Sequence, residues 1–178
     1  MSEVAIRPLA TSDAERYHQL RQRALAEHPE SFRSSAHEEA PLIDKIAKRL
    51  AVDPHAPHDV VLGAFEGDVL VGAIGLQVDP RVKARHRGTV FGMYVARERT
   101  GRGIGTQLVE SLVERAHACG ELDALLLTVT ASNARAVRLY EQAGFRTYGC
   151  EPGAIRVDGR AYDKLHMIRW LAQDTRAE

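Results

Sequence analysis

The sequence predicts an α/β protein of the α+β kind, a mixed sheet with helices on its faces. Two observations carry that prediction. The order of apolar patterns reads βααβββαβαββ, and three consecutive strand patterns precede a glycine-rich turn, which argues against a purely parallel doubly wound sheet. That turn, Arg97–Thr106, then leads from a strand pattern straight into a helical one. At 178 residues the chain reads as one domain over 1–178, long enough to bury a single good core.

Val4–Leu9 reads as a first strand. Thr11-Ser12-Asp13 supplies N-cap chemistry for a helix over 13–27, with Tyr17, Leu20, Ala24 and Leu25 on its inner stripe. His28–Pro41 is irregular, broken by two prolines, and Ile43–Ala51 forms a second helix before the exposed Pro54–His58 loop. Val60–Phe65, the turn Glu66-Gly67-Asp68 and Val69–Val78 make an antiparallel hairpin. After the basic connection Arg81–Arg87, Gly88–Val95 returns as a third strand. The helix 103–119 stops at Gly120. Leu125–Thr130 is a continuous apolar and β-branched run, as a strand buried on both faces requires. Ala131-Ser132-Asn133 opens a last helix that ends at Ala143-Gly144. Phe145–Gly149 and Tyr162–Trp170 close the chain as strands, the second entered through Asp158-Gly159, and Gln173–Glu178 reads as a frayed end.

Bulk composition narrows the function classes. Lys plus Arg and Asp plus Glu number 24 each, so nothing global favours a nucleic-acid or membrane partner. The N-terminus lacks a signal-peptide core, and no apolar run is long enough to span a bilayer. A cytoplasmic protein is expected, with Cys119 and Cys150 as reduced, buried thiols. His55 and His58 flank Ala-Pro without a third ligand, so no metal is expected. Arg81, Lys83, Arg85 and Arg87 alternate and read as a solvated hairpin tip rather than a guide for an anionic partner.

The glycine-rich turn carries chemistry. Gly101, Gly103 and Gly105 have no Cβ to block approach, so their N–H groups and the following helix N-terminus can close on a phosphate or pyrophosphate. A mononucleotide P-loop is set aside because the loop ends Gly105-Thr106-Gln107 without lysine, and a dinucleotide fingerprint because the glycines lie too close together. A plain glycine-rich turn accounts for the same residues. A second constellation sits on the helix 133–143, where Asn133 and Tyr140 lie two turns apart on one face with Ala136 and Val137 between them. Taken singly, Asn133 could be an N-cap and Tyr140 a core ring.

Together, the strand ending in Val95, the Gly101-Arg102-Gly103-Ile104-Gly105 loop and the Asn133-x-x-Ala136…Leu139-Tyr140-Glu141-x-x-Gly144-Phe145 segment resemble the GNAT superfamily of acetyl-CoA-dependent N-acetyltransferases. The similarity is strong over residues 88–150 and looser elsewhere. It implies a mixed, mostly antiparallel twisted sheet of about seven strands with helices on both faces, splayed between strands 88–96 and 124–130. It further implies that pantetheine lies in that gap against Met93, Tyr94 and Val95, with N–H groups near Met93 polarising the thioester carbonyl. The amides of Thr100, Gly101, Arg102, Gly103, Ile104, Gly105 and Thr106 would hold the pyrophosphate. Asn133 and Ala136 would flank the pantetheine, and Tyr140 would sit by the sulfur as general acid. The loop departs from the family pattern at Thr100, where Arg or Gln is usual; Arg99 and Arg102 flank it as substitute charge.

The resemblance implies direct transfer of an acetyl group to a primary amine, without a covalent acyl-enzyme or a metal. An alkyl amine is mostly protonated at neutral pH, so a base must take its proton. The strand before the loop has no carboxylate. Candidate bases are therefore Glu38 and Glu39 in the irregular segment, with Asp163 and His86 behind them. The leading reading is an N-acetyltransferase for a small molecule (amino acid, polyamine or drug-like amine). Alternatives are a protein N-terminal or lysine acetyltransferase, a non-catalytic acyl-CoA-binding sensor and a nucleotide-binding protein using the same loop. Family members often pair as homodimers, and the late strands offer an edge for pairing.

Overall fold

The computed structural model describes residues 4–39, 43–51 and 58–171. The readings that fall on the first three residues, on Pro41, on Pro54–Pro57 with His55, and on the tail Gln173–Glu178 lie outside the described residues. Elements follow in chain order as β1 (Val4–Pro8), α1 (Ala14–Glu27), α2 (Ala36–Glu39), α3 (Ile43–Leu50), β2 (Val60–Glu66), β3 (Val69–Val78) and β4 (Arg87–Val95). After the glycine loop come α4 (Ile104–Cys119), β5 (Ala124–Thr130), α5 (Ala134–Gln142), β6 (Arg146–Val157) and β7 (Arg160–Trp170). Seven strands form one sheet in the order β1-β2-β3-β4-β5-β7-β6. Among the described residues only the β4–β5 pair is parallel; the other pairs are antiparallel.

Both faces of the central strands are covered, which is why β2 and β3 read as almost unbroken apolar runs. On one face α4 lays Ile104, Leu108, Val109, Leu112, Val113 and Ala116 onto Leu125, Leu127, Val129 and Met167. Each large aliphatic side chain buried there contributes about 1.5–3 kcal/mol. On the other face α1 packs Tyr17, Leu20 and Ala24 with Val61, Phe65 and Ala73. The two helical layers therefore sandwich the sheet, and α4 is anchored firmly behind the glycine loop. Among the described residues no helix is long and apolar enough to cross a membrane.

Several local expectations needed correction. Asp13 does not cap α1 with its side chain: a 3-10 turn, Thr11–Asp13, precedes the helix, and the carboxylate accepts from Arg7 Nη1 at 2.7 Å and from the Ala10 N–H at 3.0 Å. The Arg7 hydrogen bond holds this buried carboxyl down at about 2. The segment read as irregular contains a 3-10 turn at Pro29–Ser31 and the short α2. The sixth strand runs to Val157 instead of ending at Gly149, because Gly153, at φ +60°, carries a bulge between Glu151 and Ile155 without breaking the β6–β7 ladder. Both cysteines are free, but Cys119 is only half-buried and Cys150 is exposed.

Candidate active site

The site begins where two strands part. Parallel pairing of β4 with β5 covers Arg87–Ala124, Gly88–Leu125 and Thr89–Leu126 and then stops. Beyond it each strand stays held on its outer edge: β4 pairs with β3 as far as Val95–Gly72, and β5 with β7 as far as Thr130–Lys164. The inner edges open as a wedge whose peptide groups have no strand partner, and such groups call for a ligand or water. Within the wedge β4 bulges. Ala73 pairs Tyr94 and Gly75 pairs Phe91, so Gly92 and Met93 together oppose Ile74. Gly92, within this bulge, takes φ +63°, a conformation that costs an L side chain about 1–2 kcal/mol.

At one end of the wedge lies the glycine loop. Gly101 and Gly103 adopt φ +83° and +77°. A Cβ built on Gly101 would meet nothing within 4 Å, and one on Gly103 only Gln107 Nε2 at 3.9 Å. Gly103 is the N-cap of α4 and gives no side-chain cap, and the first turn has no acidic residue. The leading N–H groups of α4 therefore face open space with the helix dipole behind them, as a phosphate group requires. Gly105 does a different job. Its Cβ position lies 3.1 Å from Met93 Cε and 3.5 Å from Leu139 Cδ2, so its smallness lets α4 approach β4 and α5.

The structure brings most of the expected coenzyme residues together. Met93, Tyr94, Val95, Thr100, Gly101, Gly103, Gly105, Thr106, Asn133, Ala136 and Tyr140 all line one cleft of about 1330 Å³. That exceeds the 300–1,000 Å³ usual for one drug-sized ligand and leaves room for two reactants to meet. Ile104 and Arg102 are not in its lining. Ile104 is buried in the core under α4, and Arg102 turns to Glu66 at 2.5 Å. Arg99 binds the same Glu66 carboxylate at 2.6 Å, so the two arginines offered as substitute charge are partly neutralised. Asn133 is an N-cap, its Oδ1 accepting the Ala136 N–H at 3.1 Å, and it also faces the cleft. Tyr140 is buried, edge-on to Phe145 at 5.8 Å, and burial pushes its phenol well above the ordinary value.

None of the four expected bases lines the cleft. Glu38 closes a capping box with Ser35, accepting from its N–H at 2.7 Å and its hydroxyl at 2.8 Å. Glu39 takes a bidentate pair from Arg21 at 2.8 and 2.7 Å; burial raises its carboxyl, but the guanidinium outweighs that and leaves it below the ordinary value. Asp163 accepts the Gly153 N–H at 2.8 Å, and His86 lies beside the far end of the β4–β5 pair, its carbonyl accepting from Asp123. The reading missed the polar side chains that β7 sends into the cleft, Lys164 and His166, although they alternate with the apolar Leu165 and Met167 as a two-sided strand should. Lys164 Nζ donates to the Glu30 and Ser31 carbonyls at 3.3 and 2.9 Å and to Thr130 Oγ1 at 2.8 Å, pinning the Pro29–Ser31 turn over β5 and β7. Burial pushes its ammonium down to about 8. Among the described residues no three His, Cys, Asp or Glu side chains gather as a metal site.

The cleft thus has two arms, an amide-lined one along β4 and α4 and a polar one under residues 28–34. The acetyltransferase (GNAT) family model matches residues 17–145. The chain is 27% identical over 169 residues to the L-amino acid N-acetyltransferase AaaT of Escherichia coli, covering 95% of this chain and 99% of that one. It is 35% identical over 82 residues to an L-methionine sulfoximine/L-methionine sulfone acetyltransferase of Pseudomonas aeruginosa, covering 46% and 47% of the two chains. Its fold matches yncA of Salmonella typhimurium, solved with its cofactor acetyl-CoA, at a TM-score of 0.79 and 19% identity over 99% of each chain.

Proposed function

This chain belongs to the GNAT family of acetyltransferases and is an acyl-CoA-dependent N-acyltransferase, and from that premise we propose that it carries acetyl from acetyl-CoA to the amine of a free amino acid. The observation that carries the proposal is the wedge between β4 and β5, open on both inner edges and ending at uncapped helix amides. The residues fit the coenzyme. The amides from Gly101 to Thr106 would hold its diphosphate, the free edge of β4 from Met93 to Val95 would pair its pantetheine, and Asn133 and Ala136 would flank it. Bound there, the coenzyme supplies an activated acetyl thioester.

The chain's own groups do the rest. The Met93 peptide, beside the Gly92 bulge at the wedge, would supply a donor where negative charge grows on the acyl oxygen. Tyr140 keeps its proton across neutral pH, as any phenol does, and burial holds that proton more tightly still. It can pass that proton to the leaving sulfur, since the same surroundings also raise a thiolate's proton affinity. Holding both reactants in one cleft supplies a large part of the rate. An amino acid is the favoured acceptor because the relatives above are named for amino-acid substrates and because Arg33 lines the polar arm, its guanidinium holding further donors besides the one it gives Glu151.

Release of the coenzyme thiol tests the reading. The protein is mixed with acetyl-CoA and separate panels of L-amino acids, polyamines and short peptides. Turnover with free amino acids supports the proposal. Turnover confined to peptides or polyamines would move the acceptor class, and none with any amine would leave only a binding protein.

A further inference from the structure

We propose that His166, held by Glu151, is the base that takes the proton from the acceptor amine. The inference rests on the acetyltransferase reading above and supplies the group that reading lacks. β5 and β7 pair so that Thr128 stands beside His166 and Thr130 beside Lys164. Leu165 and Met167 pack toward α4, so His166 and Lys164 project to the opposite face, where both line the polar arm. Glu151 Oε2 lies 3.2 Å from His166 Nε2 and also accepts from Arg33 Nη2 at 2.8 Å. A carboxylate can only accept here, so the imidazole carries its proton on Nε2 and keeps the Nδ1 lone pair. That is the tautomer a base needs.

Of the other groups in the cleft that could take a proton, Glu27 and Lys164 are committed elsewhere, and His28 lacks, among the described residues, a carboxylate within hydrogen-bond reach to fix its tautomer. Glu27 accepts from the Tyr94 hydroxyl at 2.8 Å and from Arg23 at 2.6 Å. Lys164 spends its three protons on three acceptors. His28 stands 3.6 Å from Glu30, beyond hydrogen-bond reach, so that carboxylate does not fix its ring. The groups facing His166 are Glu151 and Tyr148 from β6, Lys164 from β7, Thr128 from β5 and Arg33 from the loop above. In the step, His166 Nδ1 takes a proton from the ammonium, directly or through one water. The freed nitrogen pair bonds to the thioester carbonyl carbon, the carbon–sulfur bond breaks, and the sulfur leaves with the proton from Tyr140; the nitrogen's second proton returns through water to the Tyr140 oxygen, and His166 releases the first to solvent. Both the amide and the free thiol are then accounted for.

The test compares two acceptors, L-methionine sulfone and aminooxyacetate, whose weakly basic amine is already unprotonated at neutral pH. His166→Gln should lower kcat/KM for the sulfone by about 10²-fold or more while acetyl-CoA affinity by calorimetry stays within about threefold. The loss on aminooxyacetate should be at least tenfold smaller, a ratio that mere misfolding would not produce. Glu151→Gln keeps the ring and should lose about tenfold on the sulfone while losing little on aminooxyacetate. Equal losses on the two acceptors, or a His166→Gln enzyme within threefold of wild type, would overturn the assignment while leaving the acetyltransferase reading intact. Wild-type protein inert toward both amines and toward every amine of the panels above would overturn both.

Discussion

Placing a carboxylate at Gly103 separates the glycine loop's structural role from its anion-holding role. At φ +77° an L side chain costs about 1–2 kcal/mol. Space is not the obstacle, since the nearest atom to a new Cβ is Gln107 Nε2 at 3.9 Å. An acid at the N-terminus of α4 returns about 0.3–1 kcal/mol through the helix dipole. Gly103→Glu should therefore lose only about 1 kcal/mol of stability, a fall of roughly 2–4 °C in Tm for a chain of this size. Affinity for the coenzyme is another matter. A unit charge about 5 Å from one unit of phosphate charge, at an effective dielectric near 20, is repelled by about 3 kcal/mol. At about 1.4 kcal/mol per decade this is at least 10²-fold weaker binding. Calorimetric titration of acetyl-CoA, paired with thermal melts without ligand, reads both quantities. Gly120→Ala serves as control, because it imposes the same backbone strain, at φ +66°, at the other end of α4. A Gly103→Glu protein that melts as predicted yet binds acetyl-CoA within threefold of wild type would refute the reasoning.

Other outcomes follow from the same geometry. Tyr140→Phe should lower kcat by about 10-fold and leave acetyl-CoA affinity unchanged, the modest size reflecting a thiol leaving group of pKa about 8.5; an unchanged kcat removes Tyr140 from the acid role. Asn133→Ala removes the side-chain acceptor for the Ala136 N–H and should cost about 1 kcal/mol in denaturant unfolding; no change would mean that the cap contributes nothing. Asp13, held at about 2 by Arg7, supplies stability that is complete above the ordinary carboxylate value near 4 and lost as pH falls toward 2. Asp13→Asn should accordingly melt lower at pH 6 and show a shallower decline between pH 4 and 2, whereas parallel curves would assign the acid sensitivity to other groups.

The coenzyme arm was legible because its chemistry fixes residue types at fixed positions. Left-handed Gly101 and Gly103 before an apolar helix leave few alternatives, and so does an Asn133–Tyr140 pair two turns apart. Even there the spacing hid a division of labour, since Gly105 serves packing against Met93 and not anion contact. The hairpin β2–β3 was equally plain, its continuous apolar runs reflecting cover on both faces. The acceptor arm was not legible. Its parts come from the 28–34 segment, β6 and β7, and a link such as Glu151–Arg33 spans a separation in sequence that no periodicity reports. Glu39 looked free for the same reason, its partner Arg21 lying a helix away. Glu38 was a different kind of error. Ser35-x-x-Glu38 is a capping-box signature, and reading it would have marked that carboxylate as spent. The strand read as Phe145–Gly149 runs on through Pro152-Gly153, which forms a bulge, because an edge strand tolerates a residue with no N–H to donate.

A structure determined with acetyl-CoA bound is the most direct test. The diphosphate should lie against the amides of residues 101–106, the pantetheine along β4 from Met93 to Val95, and the acetyl group should open toward His166. A coenzyme seated elsewhere, or a β4–β5 gap filled by the protein's own side chains, would contradict it.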